Sequence, residues 1–103
     1  MKIKFHARAS VQLNEIWDYS ADQWGEEQAD RYIAGIHSQI LQALTNSSKG
    51  LKLPFSVQTK LDLRVTRYKR HYVFAVIEKN SLRVISILHD SMDLPQRLRE
   101  ALS

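Results

Sequence analysis

The hydrophobic residues of this chain repeat with the period of a helix in its first half and with the period of a strand in its second half. Apolar residues recur every three or four positions through residues 13–44, which favours amphipathic helices. From residue 60 onward apolar and polar residues begin to alternate, as strands with one buried face require. We therefore predict an α+β fold in which helices cover an antiparallel sheet.

The helical half divides at Gly25 into two helices that form an antiparallel hairpin. We expect the first helix to begin at Ser10, whose hydroxyl can accept a hydrogen bond from a free backbone N–H. Gly35 lies inside the second helix, where glycine costs roughly 1 kcal/mol relative to alanine, so we expect close packing there. The apolar stripes are Leu13, Ile16, Trp17, Ser20 and Trp24 in the first helix and Ala29, Ile33, Ile36, Ile40, Ala43 and Leu44 in the second.

The strand half is predicted to be a three-stranded antiparallel meander over residues 60–66, 71–77 and 82–89. Residues 2–6 form a separate N-terminal strand, and residues 51–59 are predicted to be loop or irregular edge. The second and third strands of the meander are apolar on both faces, so we expect them to be central and covered. Asp93 can cap a short final helix, which we expect to add less to the core than the other elements.

Length and charge limit the function. The 103 residues suit one domain, residues 1–103, without cysteines or an N-terminal signal segment, so we expect a cytoplasmic protein with no membrane span. Residues 51–103 hold ten Lys or Arg against five Asp or Glu, whereas residues 1–50 hold five against six. A basic half suits an acidic partner such as nucleic acid or an acidic protein segment, although a solvated basic surface explains it as well.

Two segments contain the candidate functional residues. Between Arg64 and His71 the chain carries four fixed positive charges, which can form an anion-binding surface or simply keep a strand edge soluble. His89 with Asp90 and Asp93 could provide acid–base chemistry, but a polar connection with Asp93 as helix cap is favoured. The aromatic residues Trp17, Trp24 and Tyr32 have a helical spacing that favours packing over recognition. We find no catalytic or cofactor motif, and the histidines lack metal-ligand spacing.

The chain resembles the ParE branch of the bacterial RelE/ParE toxin superfamily over nearly its whole length. The resemblance rests on three segments taken in order. These are Leu13-x-x-Ile16-Trp17-x-Tyr19-Ser20 with Trp24-Gly25-x-x-x-Ala29-x-x-Tyr32, then Arg64 leading into His71-Tyr72-Val73-Phe74, then Val84-Ile85-Ser86-Ile87-Leu88-His89-Asp90-Ser91-Met92-Asp93-Leu94. The resemblance implies a helical hairpin packed on a small antiparallel sheet.

It also implies the toxin of a type II toxin–antitoxin pair, which is neutralised by a cognate antitoxin and reaches operator DNA only through that antitoxin. For a ParE-like protein the implied target is DNA gyrase, trapped without any catalysis by the toxin. We assign an antitoxin- or target-binding basic surface to Arg64, Arg67, Lys69 and Arg70, and a toxicity-related C-terminal segment to His89, Asp90, Met92, Asp93 and Arg97. No cofactor or metal is expected.

Two alternatives remain. The RelE-like branch cleaves mRNA on the ribosome and commonly has an arginine where this chain has His71, together with a C-terminal tyrosine that is absent here after Phe74. A ribonuclease needs an acid, a base and cations around the phosphate, and only the cations are well provided. The other alternative is a non-toxic protein of the same fold that serves only as antitoxin partner and co-repressor.

Overall fold

The computed structural model describes residues 2–44, 53 and 55–103, and its elements follow the predicted order. They are β1 Lys2–Phe5, α1 Ala7–Trp24, α2 Glu26–Leu44, β2 Asp62–Tyr68, β3 His71–Glu78, β4 Ser81–His89 and α3 Leu94–Leu102. The predicted α+β fold is confirmed. Residues 53 and 55–59 lack regular structure, as predicted, whereas residues 51, 52 and 54 lie outside the described residues.

The four strands form one sheet in the order β1-β4-β3-β2. β2, β3 and β4 form the predicted antiparallel meander, and β1 adds to it by parallel pairing with β4. β3 and β4 are therefore central, as their apolar sequences indicate. The α1–α2 hairpin covers one face of the sheet, and α3 covers the other.

The hairpin side holds the first core cluster. Ile36 and Ile40 of α2 pack with Val73, Val84 and Ile87 of the sheet, and all five are essentially inaccessible to solvent. A methyl group at Gly35 would overlap the Tyr68 ring, so the close packing expected at this glycine is confirmed. The helix can lie this close to β2 because glycine has no side chain.

The start of α1 differs from the prediction. The helix begins at Ala7 and its N-cap is His6, whose Nδ1 accepts a hydrogen bond from the Arg8 backbone N–H at 3.0 Å. The Ser10 cap is wrong because β1 ends at Phe5 and the chain turns into the helix at once, which places Ser10 within the first helical turn. The predicted end at Gly25 is confirmed, and that residue has a φ of 93°, which favours glycine.

The second face of the sheet has a core of its own. Leu98 of α3 is fully buried and packs with Leu94 against Val65, Phe74 and Leu88. Asp93 accepts a hydrogen bond from the Gln96 backbone N–H, which confirms the predicted cap. The expectation that α3 adds less to the core than the other elements fails for this face of the sheet, because Leu94 and Leu98 are part of its core. Because β3 and β4 are apolar on both faces, the face turned away from the hairpin also needs a cover, and α3 provides it.

The sheet has one irregularity between β3 and β4, and a side chain from α1 hydrogen-bonds to β4 beside it. The β3–β4 register shifts between Phe74 and Ala75, which interrupts the ladder of backbone hydrogen bonds. The Ile87 backbone N–H of β4 donates to Gln12 Oε1 at 2.7 Å, and the same amide group contacts the Ser86 hydroxyl. Gln12 thus provides a partner for a backbone donor of β4 beyond the last residue that pairs with β1. None of the helices in the described residues is long and apolar enough to cross a membrane.

Candidate functional site

The β2–β3 turn and the end of β4 meet at one end of the sheet. Register pairing sets His71 opposite His89, and the Asp90 backbone N–H donates to the Arg70 carbonyl at 2.8 Å. The basic segment and the C-terminal segment of the sequence analysis therefore adjoin. We call this site the turn cluster, and its members are Arg67, Lys69, Arg70, His89 and Asp90.

Asp90 joins two arginines at the centre of the turn cluster. Its carboxylate lies 2.8 Å from an Arg67 guanidinium nitrogen and 2.9 Å from Arg70 Nε. The hydrogen bond from Arg70 is the main reason that the pKa of Asp90 lies below its ordinary value. One carboxylate between two guanidinium groups leaves the cluster with an excess of positive charge.

The three basic residues of the turn cluster differ in how firmly they are held. Arg67 also donates to the Lys69 carbonyl at 2.7 Å and to the Tyr72 hydroxyl at 3.1 Å. Lys69 has a φ of 52°, a conformation that non-glycine residues adopt rarely, and its ammonium lies 5.5 Å from the centre of the Tyr68 ring. The Arg70 side chain is 67% exposed. Arg67 therefore stabilises the turn, while Lys69 and Arg70 are the cations most available to a partner.

The four predicted basic residues do not form one surface. Arg64 lies on the opposite face of β2 from Arg67, as strand alternation predicts. It pairs with Asp62 at 2.9 Å, and this pair lowers the pKa of that carboxyl group. Arg64 consequently lies outside the turn cluster.

Only part of the predicted C-terminal segment lies at the turn cluster. His89 and Asp90 belong to the turn cluster, and Met92 is exposed beside it. Asp93 is occupied as the cap of α3, and Arg97 lies on the exposed side of that helix. Only the first part of the segment therefore joins the basic residues.

Tyr32 and His71 adjoin the turn cluster on the hairpin side, beside His89. The Tyr32 hydroxyl and His71 Nδ1 share a hydrogen bond of 2.7 Å, and the His71 and His89 rings meet edge to face at 5.1 Å. His89 Nδ1 accepts the Ser91 backbone N–H at 3.0 Å, which supports the polar-connection interpretation of this segment. The roles of Tyr32 and Ser91 were not predicted from the sequence. The available signal was that a tyrosine on a buried helix face needs a partner for its hydroxyl.

The aromatic residues of the hairpin do not all pack as predicted. Trp17 is half-buried and donates from Nε1 to Asp30 at 2.8 Å, whereas Trp24 is 64% exposed. The packing prediction is wrong for Trp24 because this last residue of α1 lies at the tip of the hairpin, beyond the face that the helix buries. Within the described residues, no group of three or more acidic or histidine side chains could hold a metal ion.

We expect His71 to make stability depend on pH. Burial, followed by the neighbouring His89, lowers the pKa of His71 from 6.5 to about 4, and Asp90 opposes this shift. As the pH falls, the unfolded chain therefore binds the proton before the folded chain does. The contribution of neutral His71 to the free energy of unfolding is fully present above pH 6.5 and is lost as the pH falls toward 4. Because the ring keeps some contact with solvent, which screens the effect, we expect a loss of about 2 kcal/mol.

Urea unfolding at pH 7.5 and at pH 4.5 would measure this effect. His71→Gln keeps a group that can hydrogen-bond to Tyr32 but does not titrate, so its stability should change less with pH than that of the parent. The exposed His37 provides the control, since His37→Gln should retain the parent's dependence. Equal pH dependence in the parent and His71→Gln would contradict the assignment to His71.

The chain matches one protein family over most of its length. Residues 3–94 match the family model described as the ParE toxin of type II toxin-antitoxin system, parDE. The chain is 33% identical over 99 residues to Toxin ParE of Escherichia coli, covering 93% of this chain and 91% of that one. It is 29% identical over 91 residues to Toxin ParE1 of Mycobacterium tuberculosis, covering 87% and 90%.

A solved structure has the same fold. It is titled "Chromosomal ParDE TA system from P. aeruginosa" and superposes with a TM-score of 0.69 at 20% sequence identity. The match covers 86% of this chain and 95% of that one. At this level of identity the likeness concerns the fold.

Proposed function

The chain belongs to the ParE toxin family of type II toxin–antitoxin systems, and we propose that it inhibits DNA gyrase by binding and is neutralised by a cognate antitoxin. The observation that supports action by binding is the state of the turn cluster. Its carboxylate is engaged by two arginines and His89 Nδ1 by the Ser91 backbone. The cluster thus offers positive charge to a partner, and its carboxylate is already engaged by two arginines, which makes it a poor general base.

We propose that the antitoxin is an acidic chain that binds at the turn cluster. Lys69 and Arg70 are exposed there, and β2 is an edge strand of the sheet. An extended segment can pair with such an edge while acidic side chains meet the exposed cations. Operator DNA would then be bound by the antitoxin and reach this chain only indirectly.

Charge reversal at the exposed cations should weaken antitoxin binding. We expect Lys69→Glu with Arg70→Glu to raise the Kd about tenfold or more and to reduce its dependence on salt, because these charges are proposed to face acidic partner residues. Arg67 is left unchanged so that Asp90 keeps a partner. The measurement is calorimetric titration with the product of an adjacent small reading frame.

The matched control reverses two exposed lysines outside the turn cluster, Lys60→Glu with Lys79→Glu. Both double variants change the net charge equally, so a general effect of charge would weaken them alike. Equal affinities in the two variants would show that the turn cluster does not face the antitoxin.

We expect the chain not to cleave mRNA. RNA cleavage without a metal needs a base for the 2′-hydroxyl and an acid for the leaving oxygen, and only one histidine near the cations, His89, is available for the two roles. His71 has its pKa lowered to about 4 and shares its Nδ1 with Tyr32. Inducing the chain in bacteria and mapping mRNA ends across translated genes tests this expectation. Abundant cleavage that His89→Ala abolishes would favour the RelE-like alternative.

A further inference from the structure

A cleft of about 570 Å³ opens between the tip of the helical hairpin and the turn cluster. Its lining comes from the end of α1, the start of α2, the β2–β3 turn and the residues after β4. We call it the hairpin-tip cleft. The volume lies within the range of about 300–1,000 Å³ that is typical of small-ligand sites.

One wall of the hairpin-tip cleft is aromatic and exposed. Tyr19 and Trp24 are 62% and 64% exposed, and their rings meet edge to face at 6.0 Å. Met92, which is 44% exposed, also lines the cleft. Large apolar side chains clustered in a concavity indicate a binding surface, because leaving them in water is unfavourable. An aromatic ring of a ligand can stack on this wall.

The rest of the cleft lining includes cationic and neutral polar side chains. Within the described residues Lys69 makes no ion pair, and Arg70 is largely exposed. His71, held by Tyr32, also lines the cleft and can hydrogen-bond without adding charge. Glu15 lines the cleft as well and would repel an anionic group placed beside it, whether carboxylate or phosphate. This combination favours a ligand with one anionic group beside a flat aromatic group.

We propose that the hairpin-tip cleft binds a nucleotide of single-stranded DNA, with its base against Trp24 and Tyr19 and its phosphate at Lys69 and Arg70. Stacking surfaces beside cations are the general means by which proteins bind single strands without reading their sequence. The inference concerns the chain by itself and does not depend on gyrase being the target.

Fluorescence anisotropy with a fluorescein-labelled eight-nucleotide thymidine strand tests the proposal on the full chain. Trp24→Ala should weaken binding about tenfold, as expected for the loss of one stacked base. Lys69→Ala should weaken it and lower the slope of log affinity against log salt by about 0.7, as expected for one lost phosphate contact. Thermal melting followed by circular dichroism checks that the variants remain folded.

Two variants outside the cleft are the matched controls. Leu41→Ala removes an exposed apolar side chain from α2, and Lys79→Ala removes an exposed lysine from the β3–β4 turn. Both should bind the strand like the parent. Absence of saturable binding, or equal affinity in Trp24→Ala and Leu41→Ala, would overturn the proposal. So would Trp24-dependent binding of a labelled Glu-Leu repeat peptide that the DNA strand cannot displace, since the cleft would then be a peptide site.

Discussion

Replacing Leu98 by alanine should lower the free energy of unfolding by about 2–5 kcal/mol, the usual cost of removing a large side chain from a core. Leu98 has no solvent exposure and joins α3 to Phe74 and Leu88 on the face of the sheet that the hairpin does not cover. Its loss leaves a cavity that the central strands cannot readily fill. Urea unfolding followed by circular dichroism would measure the change.

Arg97→Ala is the neighbouring control, because Arg97 is exposed on α3 and its removal should change stability by less than about 0.5 kcal/mol. A similarly small effect of Leu98→Ala would mean that α3 is not part of the core. If Leu98 does have the expected effect, truncation after Asp90 should also abolish the cooperative unfolding transition. Loss of toxicity in such a truncated chain would then report unfolding, not a missing target contact.

Gly35→Ala should destabilise the protein by about 1–3 kcal/mol, although alanine is the better helix former. The added methyl group would overlap the far end of the Tyr68 ring. That ring cannot move freely, because it also packs edge to face against Tyr32 at 5.2 Å. The measurement is again the free energy of unfolding in urea.

The same substitution in a variant without the Tyr68 ring separates the steric overlap from any other cost of alanine at this position. In a chain that carries Tyr68→Leu, the aromatic ring is gone and Gly35→Ala should be neutral or stabilising by up to about 1 kcal/mol. The sign of the substitution should therefore reverse between the two backgrounds. The same cost in both backgrounds would show that contact with Tyr68 is not why glycine is required.

The periodicity of the sequence predicted most of the fold because the helices and strands each bury a continuous apolar surface. Periodicity failed where burial or a helix boundary depends on a distant or neighbouring element of the fold. The few leucines of α3 alone predict a marginal helix. The apolar residues on both faces of β3 and β4, however, need a helix on each side of the sheet, and α3 covers the second face. Ser10 is a better cap than His6 by residue type, but the end of β1 decided the boundary. Trp24 has the spacing of the apolar stripe of α1, but it lies at the end of that helix, beyond the part that packs on the sheet.

The turn cluster was predictable in part. The basic segment and His89 with Asp90 were both identified, but as separate features. A short turn between β3 and β4 already implies that the start of one strand lies near the end of the other, which would have brought Arg70 close to Asp90. The bulge at Phe74/Ala75 sets the exact register, and no local pattern in β3 or β4 predicts it. Arg64 was grouped with the other cations by sequence proximity, although strand alternation places it on the other face.

A gyrase cleavage assay tests most directly the proposal that this ParE family member inhibits gyrase through the turn cluster. Purified gyrase is incubated with supercoiled plasmid, ATP and the chain, and cleaved complexes are trapped with detergent and protease before electrophoresis. We predict that linear DNA accumulates with dose and is suppressed by prior addition of antitoxin. Lys69→Glu with Arg70→Glu should reduce it, whereas Lys60→Glu with Lys79→Glu should not. Absence of linear DNA with the chain in excess over gyrase would contradict this proposal.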